Sequence, residues 1–374
     1  MTTILTPKYY LSKPGALREA GKTVASIAKR VYIVGSKTAL HVAKETLTGG
    51  FDRAGVRYDV LEYGGYPTIH AATDIARRAQ EFEAGAIVAV GGGRVMDTVK
   101  AAANIAKLPV IAVPTIAATC AAWAPSSILY NDDGEFTEPR ANEDAPVFLV
   151  LDTDILAKAP IRYLQSGISD AFARWFENAP HLERADSFYL RWQLKQAELI
   201  REILEDEGPR VINDLKRGVY KPEQVVRVID AVVFLTGIFV SVRNSDELFI
   251  GGIGHNIYHL STALHELHGT LHGEQIAFDL IVSALIGGKT DNEVYDLIAL
   301  FYKFDQPLTL KELGLGDDAP ERLDRVVPVI HQYSVGYRQL IRDFTPEELK
   351  NALLKADELG SAYEAEQERL AAAN

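Results

Sequence analysis

Histidines are concentrated in one part of this 374-residue sequence. Five of the nine lie within 18 residues, at His255, His259, His265, His268 and His272. Neutral imidazole is the commonest protein ligand for zinc and iron. On helices, the first two would share a face, and so would the last three, because they are spaced by three and four residues. The cluster predicts a metal site, but the spacing alone does not say which histidines bind the metal.

A glycine-rich turn is the second pattern that could do chemistry. Gly91, Gly92 and Gly93 directly follow the apolar run 86–90 and precede a helical pattern. Such glycines let a ligand approach the backbone, and the following helix N-terminus offers free N–H groups to phosphate. The spacing does not match the GxGxxG fingerprint. By itself it leaves phosphate binding and a turn that binds nothing about equally open.

Strand and helix patterns alternate in the first 155 or so residues. Short apolar runs, typical of strands, occupy residues 31–34, 57–61, 86–90, 109–113 and 146–151, with helical patterns at 69–83 and 96–107. Strand, helix and strand at this spacing predict a Rossmann-like α/β domain with a parallel, doubly wound sheet.

The second half of the sequence carries helical patterns without strand signals. They cover residues 187–204, 222–242, 254–264, 273–285 and 345–370. We therefore expect an α/β domain at 1–157 and an all-helical domain at 158–374.

Composition narrows the class of protein. The net charge of −12 argues against a nucleic-acid or anionic-membrane partner, which would need clustered basic residues. The single cysteine, Cys120, fits a reducing compartment. Neither a signal peptide nor an apolar run near the roughly 20 residues of a membrane helix is evident. We expect a soluble cytoplasmic protein whose partners are small molecules and copies of itself, as a homo-oligomer.

Several motifs, in order along nearly the whole chain, resemble one enzyme family. They are Gly91-Gly92-Gly93-x-x-x-Asp97-x-x-Lys100, Val113-Pro114-Thr115-Ile116-Ala117-Ala118-Thr119, Gly167-Ile168-Ser169-Asp170-Ala171, His255, and His272-Gly273-Glu274. The sequence resembles the glycerol dehydrogenase branch of the iron-containing alcohol dehydrogenase superfamily. The resemblance implies a nucleotide-binding α/β domain followed by a helical metal-binding domain, the architecture that dehydroquinate synthase shares.

The resemblance also implies residue roles. Gly91, Gly92, Gly93 and Asp97 would hold the cofactor pyrophosphate and nicotinamide ribose, with Thr115, Thr119 and Tyr130 along the nicotinamide. Asp170, His255 and His272 would bind one divalent metal, zinc or iron. Three nitrogen and oxygen ligands leave positions open, as in a catalytic site.

The end of the first strand bears on which cofactor is used. NAD-using relatives place an aspartate there for the ribose hydroxyls, whereas this chain reads Gly35-Ser36-Lys37. A carboxylate would repel a 2′-phosphate, but Ser36 and Lys37 could bind one. We therefore expect NADP(H) rather than NAD(H). The alternative is that Lys37 is a solvated residue that opens the next helix.

Two positions favour a substrate that carries a carboxylate. Arg174 stands where iron-type relatives carry a further histidine ligand, and a guanidinium cannot bind metal. Cys120 stands where glycerol dehydrogenases carry an aspartate for polyol hydroxyls. Losing an anion and gaining a guanidinium suits a 2-oxo acid, which arginine can pair bidentately. The string 115–123 also resembles hydroxycarboxylate dehydrogenases, a subgroup that reduces 2-oxo acids with NADPH.

The expected reaction is therefore a metal-assisted hydride transfer that interconverts 2-oxo and 2-hydroxy acids. Arg174 would anchor the carboxylate, and His259 is a candidate for the proton relay. The alternative is oxidation of glycerol, or of another vicinal diol, with NAD. A cyclase related to dehydroquinate synthase is more remote, because such enzymes typically present a glutamate in place of Asp170 and several phosphate-binding cations that this sequence lacks.

Overall fold

The computed structural model describes residues 2–184, 188–243, 252–334 and 342–373. Contacts along the chain divide it into two compact units. Unit 1 comprises Met1–Leu164 and Ile203–Asp246, and unit 2 comprises Gln165–Glu202 and Glu247–Asn374. Residue 187, the predicted start of one helix, lies outside the described residues.

Unit 1 is an α/β structure. Its strands are β1 (Thr3–Ile4), β2 (Tyr9–Lys13), β3 (Arg30–Gly35), β4 (Arg57–Glu62), β5 (Ala86–Gly91), β6 (Val110–Pro114), β7 (Ser126–Tyr130), β8 (Phe136–Ala141), β9 (Phe148–Asp152) and β10 (Val242–Arg243). Its helices are α1 (Ala20–Ile27), α2 (Lys37–Ala54), α3 (Ile69–Glu81), α4 (Gly93–Ala106), α5 (Thr153–Lys158), α8 (Pro222–Asp230) and α9 (Thr236–Ser241). Among the described residues, six parallel strands form one sheet in the order β2-β9-β6-β5-β3-β4.

The sheet confirms the predicted Rossmann-like α/β fold. Strands β5, β6 and β9 are buried along their whole length, which explains why each reads as an unbroken apolar run. The sequence did not predict β2, which lies at one edge of the sheet, or the antiparallel hairpin of β7 and β8. These strands are only half-buried and mix polar with apolar residues, so their patterns are weak.

Unit 2 is helical, as predicted. Its helices are α10 (Ile253–Ser261), α11 (His272–Ile286), α12 (Asp291–Tyr302), α13 (Ala319–Ser334) and α14 (Pro346–Ala372), and it shares α6 (Ile161–Phe176) and α7 (Phe188–Lys216) with unit 1. Helix α11 is buried over most of its surface, and α10, α12 and α14 pack against it. A helix that is apolar on nearly all sides belongs in a core, so α11 is the centre of this unit.

The two compact units do not coincide with the predicted domains at 1–157 and 158–374. The domain division stays a prediction. Unit 1 also takes residues 203–246 from the helical half of the sequence. Helix α8 packs against β2, where Tyr10 and Ser12 donate hydrogen bonds of 2.5 and 2.6 Å to Oδ1 of Asp230. Sequence periodicity identified these residues as helical but could not show that they pack beside the sheet.

One helical run passes the length and composition test for a membrane span. Pro222–Ser241, which comprises α8, a π-helical turn at Ala231–Leu235 and α9, has a mean hydropathy of 1.8 over its most apolar window. The sequence analysis predicted a helix at 222–242 but did not identify it as an apolar run of membrane length. Because 56% of that window is buried within the structure, and buried core helices pass the same test, it is weak evidence for a membrane span.

The crossing of α1 and α2 generates a stability prediction. A Cβ atom on Gly21 would lie 2.2 Å from the backbone oxygen of Gly50, which cannot move aside easily. Gly21→Ala should therefore lower the free energy of unfolding by about 1–3 kcal/mol, as overpacking does. Gly49→Ala is the matched control, because its Cβ would meet only Arg53 Nη1 at 3.5 Å. The control should gain about 0.5–1 kcal/mol from helix propensity. Urea unfolding of both variants tests the crossing, and a Gly21→Ala protein as stable as wild type would contradict it.

Candidate active site

Three side chains from three helices of unit 2 converge. Asp170 lies on α6, His255 on α10, and His272 is the first residue of α11. Oδ1 of Asp170 lies 3.5 Å from Nε2 of His255 and 3.3 Å from Nε2 of His272. Ligand-capable atoms of the three all lie within 4.8 Å of one another. These are the residues that the resemblance implied as metal ligands, and the structure brings them together.

The donor set fits a divalent metal. In a tetrahedral site with bonds of about 2.0–2.1 Å, neighbouring ligand atoms are about 3.4 Å apart. The two measured separations from Asp170 are close to that value. Two imidazoles and one carboxylate suit zinc and iron alike, and three protein ligands leave at least one position open for a small molecule.

A close helix contact sets the position of His272. A Cβ on Gly273 would lie 1.8 Å from the backbone oxygen of Ser166 on α6. The Gly273 backbone N–H donates to Oγ of Ser166 at 3.0 Å. Ser166 is one helical turn before Asp170, so this approach brings the beginning of α11 beside the carboxylate.

Glu177, which sequence reasoning missed, holds His255 through both carboxylate oxygens. Oε1 accepts from the His255 backbone N–H at 3.0 Å, and Oε2 accepts from Nδ1 at 2.8 Å. A proton on Nδ1 leaves the lone pair on Nε2, the nitrogen that faces Asp170. A Cβ on Gly252 would lie 2.9 Å from Cβ of Glu177, and one on Gly254 would lie 3.1 Å from Oε1. Both glycines therefore make room for this carboxylate.

A sequence signal for Glu177 existed. Asp170, Arg174 and Glu177 are spaced by four and three residues, which places them on one face of a helix. A glutamate one turn beyond an arginine is usually solvated, so the spacing alone gives no reason to single it out.

Arg174 lies against the same cluster. Its Nη2 is 3.2 Å from Oδ1 of Asp170 and 2.7 Å from Nε2 of His255. The residue is only 4% exposed. The guanidinium therefore contacts two of the three atoms that would face a metal.

Electrostatics keep both carboxylates of the cluster ionised. Burial would raise the pKa of Asp170, but the charge of His272, the contacts with both histidine rings and the charge of Arg174 hold that pKa well below its ordinary value. Burial likewise opposes ionisation of Glu177, yet its contacts with His255 lower its pKa. Ionised carboxylates are what both metal binding and histidine orientation require.

His259 lies one turn beyond His255 on α10, and the two ring centroids are 6.4 Å apart. Burial, together with the charges of His255 and His272, lowers the pKa of His259 well below its ordinary value. The ring is therefore neutral near pH 7. The rings of His265 and His268 lie 4.9 Å apart at an angle of 42°, and Nε2 of His268 donates to the backbone oxygen of Thr262.

Asp279 is a second buried acid that sequence reasoning missed. It lies on α11, two turns beyond His272, and is 4% exposed. Burial and the nearby charge of Glu177 raise its pKa well above the ordinary value. The folded structure therefore favours the protonated, neutral form of this side chain.

In unit 1, the glycine turn lies at the carboxyl end of β5. Gly92 is the residue before α4, and a Cβ there would lie 2.6 Å from Ile116. Asp97 is buried in an ion pair of 2.9 Å with Lys100, whose Nζ also donates to the backbone oxygens of Ala124 and Ser126. The pair thereby ties α4 to the beginning of β7.

The predicted nicotinamide-side residues lie in the same unit. The Thr115 backbone N–H donates to the oxygen of Gly91 at 3.1 Å, and Oγ1 of Thr119 lies 3.8 Å from where a Cβ of Gly93 would be. Tyr130 lies on β7 with its ring 6.2 Å from that of Tyr66. Thr115 and Thr119 are thus beside the glycine turn.

The predicted cofactor-selecting residues lie at the adjacent strand end. Gly35 ends β3 opposite Val90 of β5. The turn that follows β3 is therefore next to the glycine turn that follows β5, at the carboxyl ends of the two parallel strands. Oγ of Ser36 accepts from the Ala39 backbone N–H at 3.4 Å and begins α2, whereas Lys37 is exposed. On the other side of Gly35 lies Glu62, an exposed carboxylate at the end of β4 that the sequence analysis did not consider.

Comparison with known proteins agrees with this fold. Residues 7–153 match the family described as iron-containing alcohol dehydrogenase. Over these residues the chain resembles that family, and its relatives include glycerol dehydrogenases and a hydroxycarboxylate dehydrogenase, which are oxidoreductases that act on CH–OH groups. The family implies a nicotinamide cofactor and a divalent metal.

Particular relatives match over nearly the whole chain. A glycerol dehydrogenase of Pseudomonas putida is 29% identical over 96% of this chain and 98% of its own. Hydroxycarboxylate dehydrogenase A of Escherichia coli K12 is 28% identical over 95% of this chain and 97% of its own. The crystal structure of glycerol dehydrogenase from Schizosaccharomyces pombe superposes with a TM-score of 0.86 at 23% identity, covering 98% of this chain and 92% of its own.

The contact between Glu177 and His255 generates a prediction for metal binding. Glu177→Gln keeps the size of the side chain but replaces one accepting oxygen by an N–H donor. We expect the affinity for Zn²⁺ to fall by about tenfold to a hundredfold, as loss of such orienting partners generally causes. Glu198→Gln, which removes only an ion pair with the exposed Lys195, is the control. Competition with a fluorescent zinc chelator measures both, and an unchanged affinity in Glu177→Gln would refute the orienting role.

The raised pKa of Asp279 generates a prediction for stability against pH. In the unfolded chain this carboxyl loses its proton near its ordinary pKa of 3.8, while in the folded chain it keeps it. Its contribution to stability is therefore complete below about pH 4 and is lost as pH rises towards the folded pKa. Asp279→Asn removes this loss, so its Tm advantage over wild type should be larger at pH 8 than at pH 5. The exposed Asp296→Asn should show no such trend. Thermal melts at both pH values decide, and a constant difference would contradict a buried neutral acid.

Proposed function

We propose that this protein interconverts 2-oxo and 2-hydroxy acids by metal-assisted hydride transfer, with NADP(H) as the preferred cofactor. The observation that carries the proposal is Arg174, a buried guanidinium in contact with Asp170 and His255. A cation at this point favours a substrate that is an anion. Among natural carbonyl compounds, a 2-oxo acid has its carboxylate next to the reacting carbon.

In this proposal Asp170, His255 and His272 hold one divalent metal, zinc or iron. A metal bound there supplies a Lewis acid for the carbonyl oxygen, and a bound nicotinamide cofactor supplies the hydride. Glu177 keeps the His255 ring oriented with its Nε2 lone pair towards Asp170. Arg174 pairs with the substrate carboxylate and so fixes the orientation of the adjacent carbonyl group.

His259 is proposed to move the proton. Since its pKa is well below the ordinary value, the neutral ring has a lone pair that can accept the hydroxyl proton when the alcohol is oxidised. In the opposite direction the resulting imidazolium returns the proton to the reduced oxygen. Its position one turn from His255 supports this role.

The proposed cofactor residues are those of the strand ends in unit 1. Gly91, Gly92, Gly93 and Asp97 would hold the pyrophosphate and nicotinamide ribose, with Thr115, Thr119 and Tyr130 beside the nicotinamide. Gly35, Ser36 and Lys37 would accept the adenosine 2′-phosphate of NADP(H). The exposed Glu62 opposite Gly35 is the group that would favour NAD(H) instead, because a carboxylate binds ribose hydroxyls and repels phosphate.

Glycerol oxidation with NAD is the second candidate, and the relatives named glycerol dehydrogenase support it. Two residues of this chain favour the acid substrate instead. Cys120 is buried where the branch carries an aspartate for polyol hydroxyls, so an anion has been lost. Arg174 adds a cation beside the candidate ligands. Hydroxycarboxylate dehydrogenase A is a relative of nearly equal identity.

The test measures consumption of NADPH and of NADH with 2-oxo acids, dihydroxyacetone and neutral ketones, before and after chelation and metal add-back. We expect turnover of 2-oxo acids with NADPH, loss of activity on chelation, and no activity in Asp170→Ala or His272→Ala. At saturating metal, Arg174→Met should raise KM for 2-oxo acids by about tenfold to a hundredfold more than KM for neutral ketones. Turnover of dihydroxyacetone with NADH, and an equal effect of Arg174→Met on both substrate classes, would refute the proposal and favour glycerol.

A further inference from the structure

The hydrogen bond between Arg174 and His255 uses an atom that a metal also needs. Nη2 of Arg174 lies 2.7 Å from Nε2 of His255. In the neutral ring whose Nδ1 donates to Glu177, which is the form that can bind a metal, Nε2 is the nitrogen that carries the lone pair. An sp² nitrogen has one lone pair, so it can accept an N–H from arginine or bind a metal, but not both.

Asp170 is shared between the same partners, with a different consequence. Nη2 of Arg174 lies 3.2 Å from Oδ1 of Asp170, the oxygen that also faces both histidines. A carboxylate oxygen has more than one lone pair and can accept from arginine while it binds a cation. At Asp170, arginine and metal can therefore bind together and oppose each other only through their like charges. At His255, binding of the arginine N–H and binding of the metal exclude each other.

The guanidinium is held close to this cluster. Its side chain is only 5% exposed, and it starts from α6 one turn after Asp170. The backbone at Arg174 is fixed in turn, since Nδ2 of Asn178 donates to its carbonyl oxygen at 2.9 Å. An arginine displaced from His255 would therefore still lie within a side-chain length of the metal position.

We propose that Arg174 is an intramolecular competitor of the metal, and that metal binding to His255 releases its Nη2 for a substrate carboxylate. This inference rests on the proposed metal site and on the proposed anchoring role of Arg174. Metal binding and carboxylate binding then favour each other, because each removes the contact that opposes the other. The residue that lowers metal affinity in the absence of substrate is the one that binds the substrate once the metal is in place.

The experiment measures Zn²⁺ affinity of the metal-stripped full-length protein without cofactor or substrate, by competition with a fluorescent chelator. Arg174→Met keeps much of the side-chain volume and removes the charge and the donors. We expect its Kd for Zn²⁺ to be about tenfold to a hundredfold lower than that of wild type, the equivalent of one hydrogen bond to a charged group. The zinc-induced rise in Tm should increase in parallel.

The matched control is Arg201→Met. Arg201 belongs to unit 2, and its guanidinium lies over the ring of Trp175, 4.7 Å from the ring centroid. Its replacement removes that contact and leaves the contact between Arg174 and Nε2 of His255 in place. Its Zn²⁺ affinity should equal that of wild type. Arg174→Gln, which is shorter and neutral, replaces Arg174→Met if the methionine variant does not fold, and it should also bind zinc more tightly.

The outcomes separate this inference from the proposed function. Wild type that binds one Zn²⁺ per chain, together with folded Arg174 variants of equal or weaker affinity, overturns the competition alone. Wild type that binds no Zn²⁺, or binds it unchanged in His255→Ala and His272→Ala, overturns the metal site and the competition together. Absence of activity on 2-oxo acids affects neither measurement.

Discussion

Asp170 carries a negative charge in the interior of unit 2, and such a charge has to be neutralised by neighbours of opposite sign. Arg174 supplies a positive charge from the same helix, and His255 and His272 contact the carboxylate from α10 and α11. Two helices must therefore approach α6 more closely than ordinary side chains allow. The missing side chains of Gly273 and Gly254 permit this approach. The candidate site thus depends on one buried charge and on the backbone clearance around it.

A sequence predicts the local elements of such a site better than the contacts between residues that are far apart in the chain. Strands β5 and β6 were predictable because burial on both faces leaves an unbroken apolar run. Histidine spacing could only indicate a metal site, since the carboxylate that selects His255 and His272 lies some 85 positions upstream on another helix. The resemblance to a family supplied that choice. The assignment of residues 203–246 to unit 1 depends on packing against β2, which periodicity does not encode.

Glu177 and Asp279 show why buried acids are the hardest part to predict. Both are of a type that is mostly exposed, and their positions in the sequence resemble those of solvated residues. Glu177 is ionised because His255 donates to it twice, while Asp279, also buried and near that charge, keeps its proton. The pKa of Glu177 is lowered and that of Asp279 is raised for one physical reason: within the described parts of the chain, hydrogen bonds from a donor are found for Glu177 but not for Asp279. No local pattern could distinguish them.

Arg174, one helical turn beyond Asp170, bears on the metal affinity of the cluster. Family members of the iron type carry a ligand there, and replacing it by arginine does more than remove a ligand. A guanidinium at that position is long enough to reach Nε2 of His255, and its charge is the same sign as that of a metal. In the proposed metal site, a group that would strengthen metal binding is thus replaced by one that would oppose it. An arginine that opposes metal binding needs another function to explain its presence. The parallel N–H donors of the guanidinium suit pairing with a substrate carboxylate. Specificity for an acid and moderate metal affinity would then have a single physical origin in Arg174.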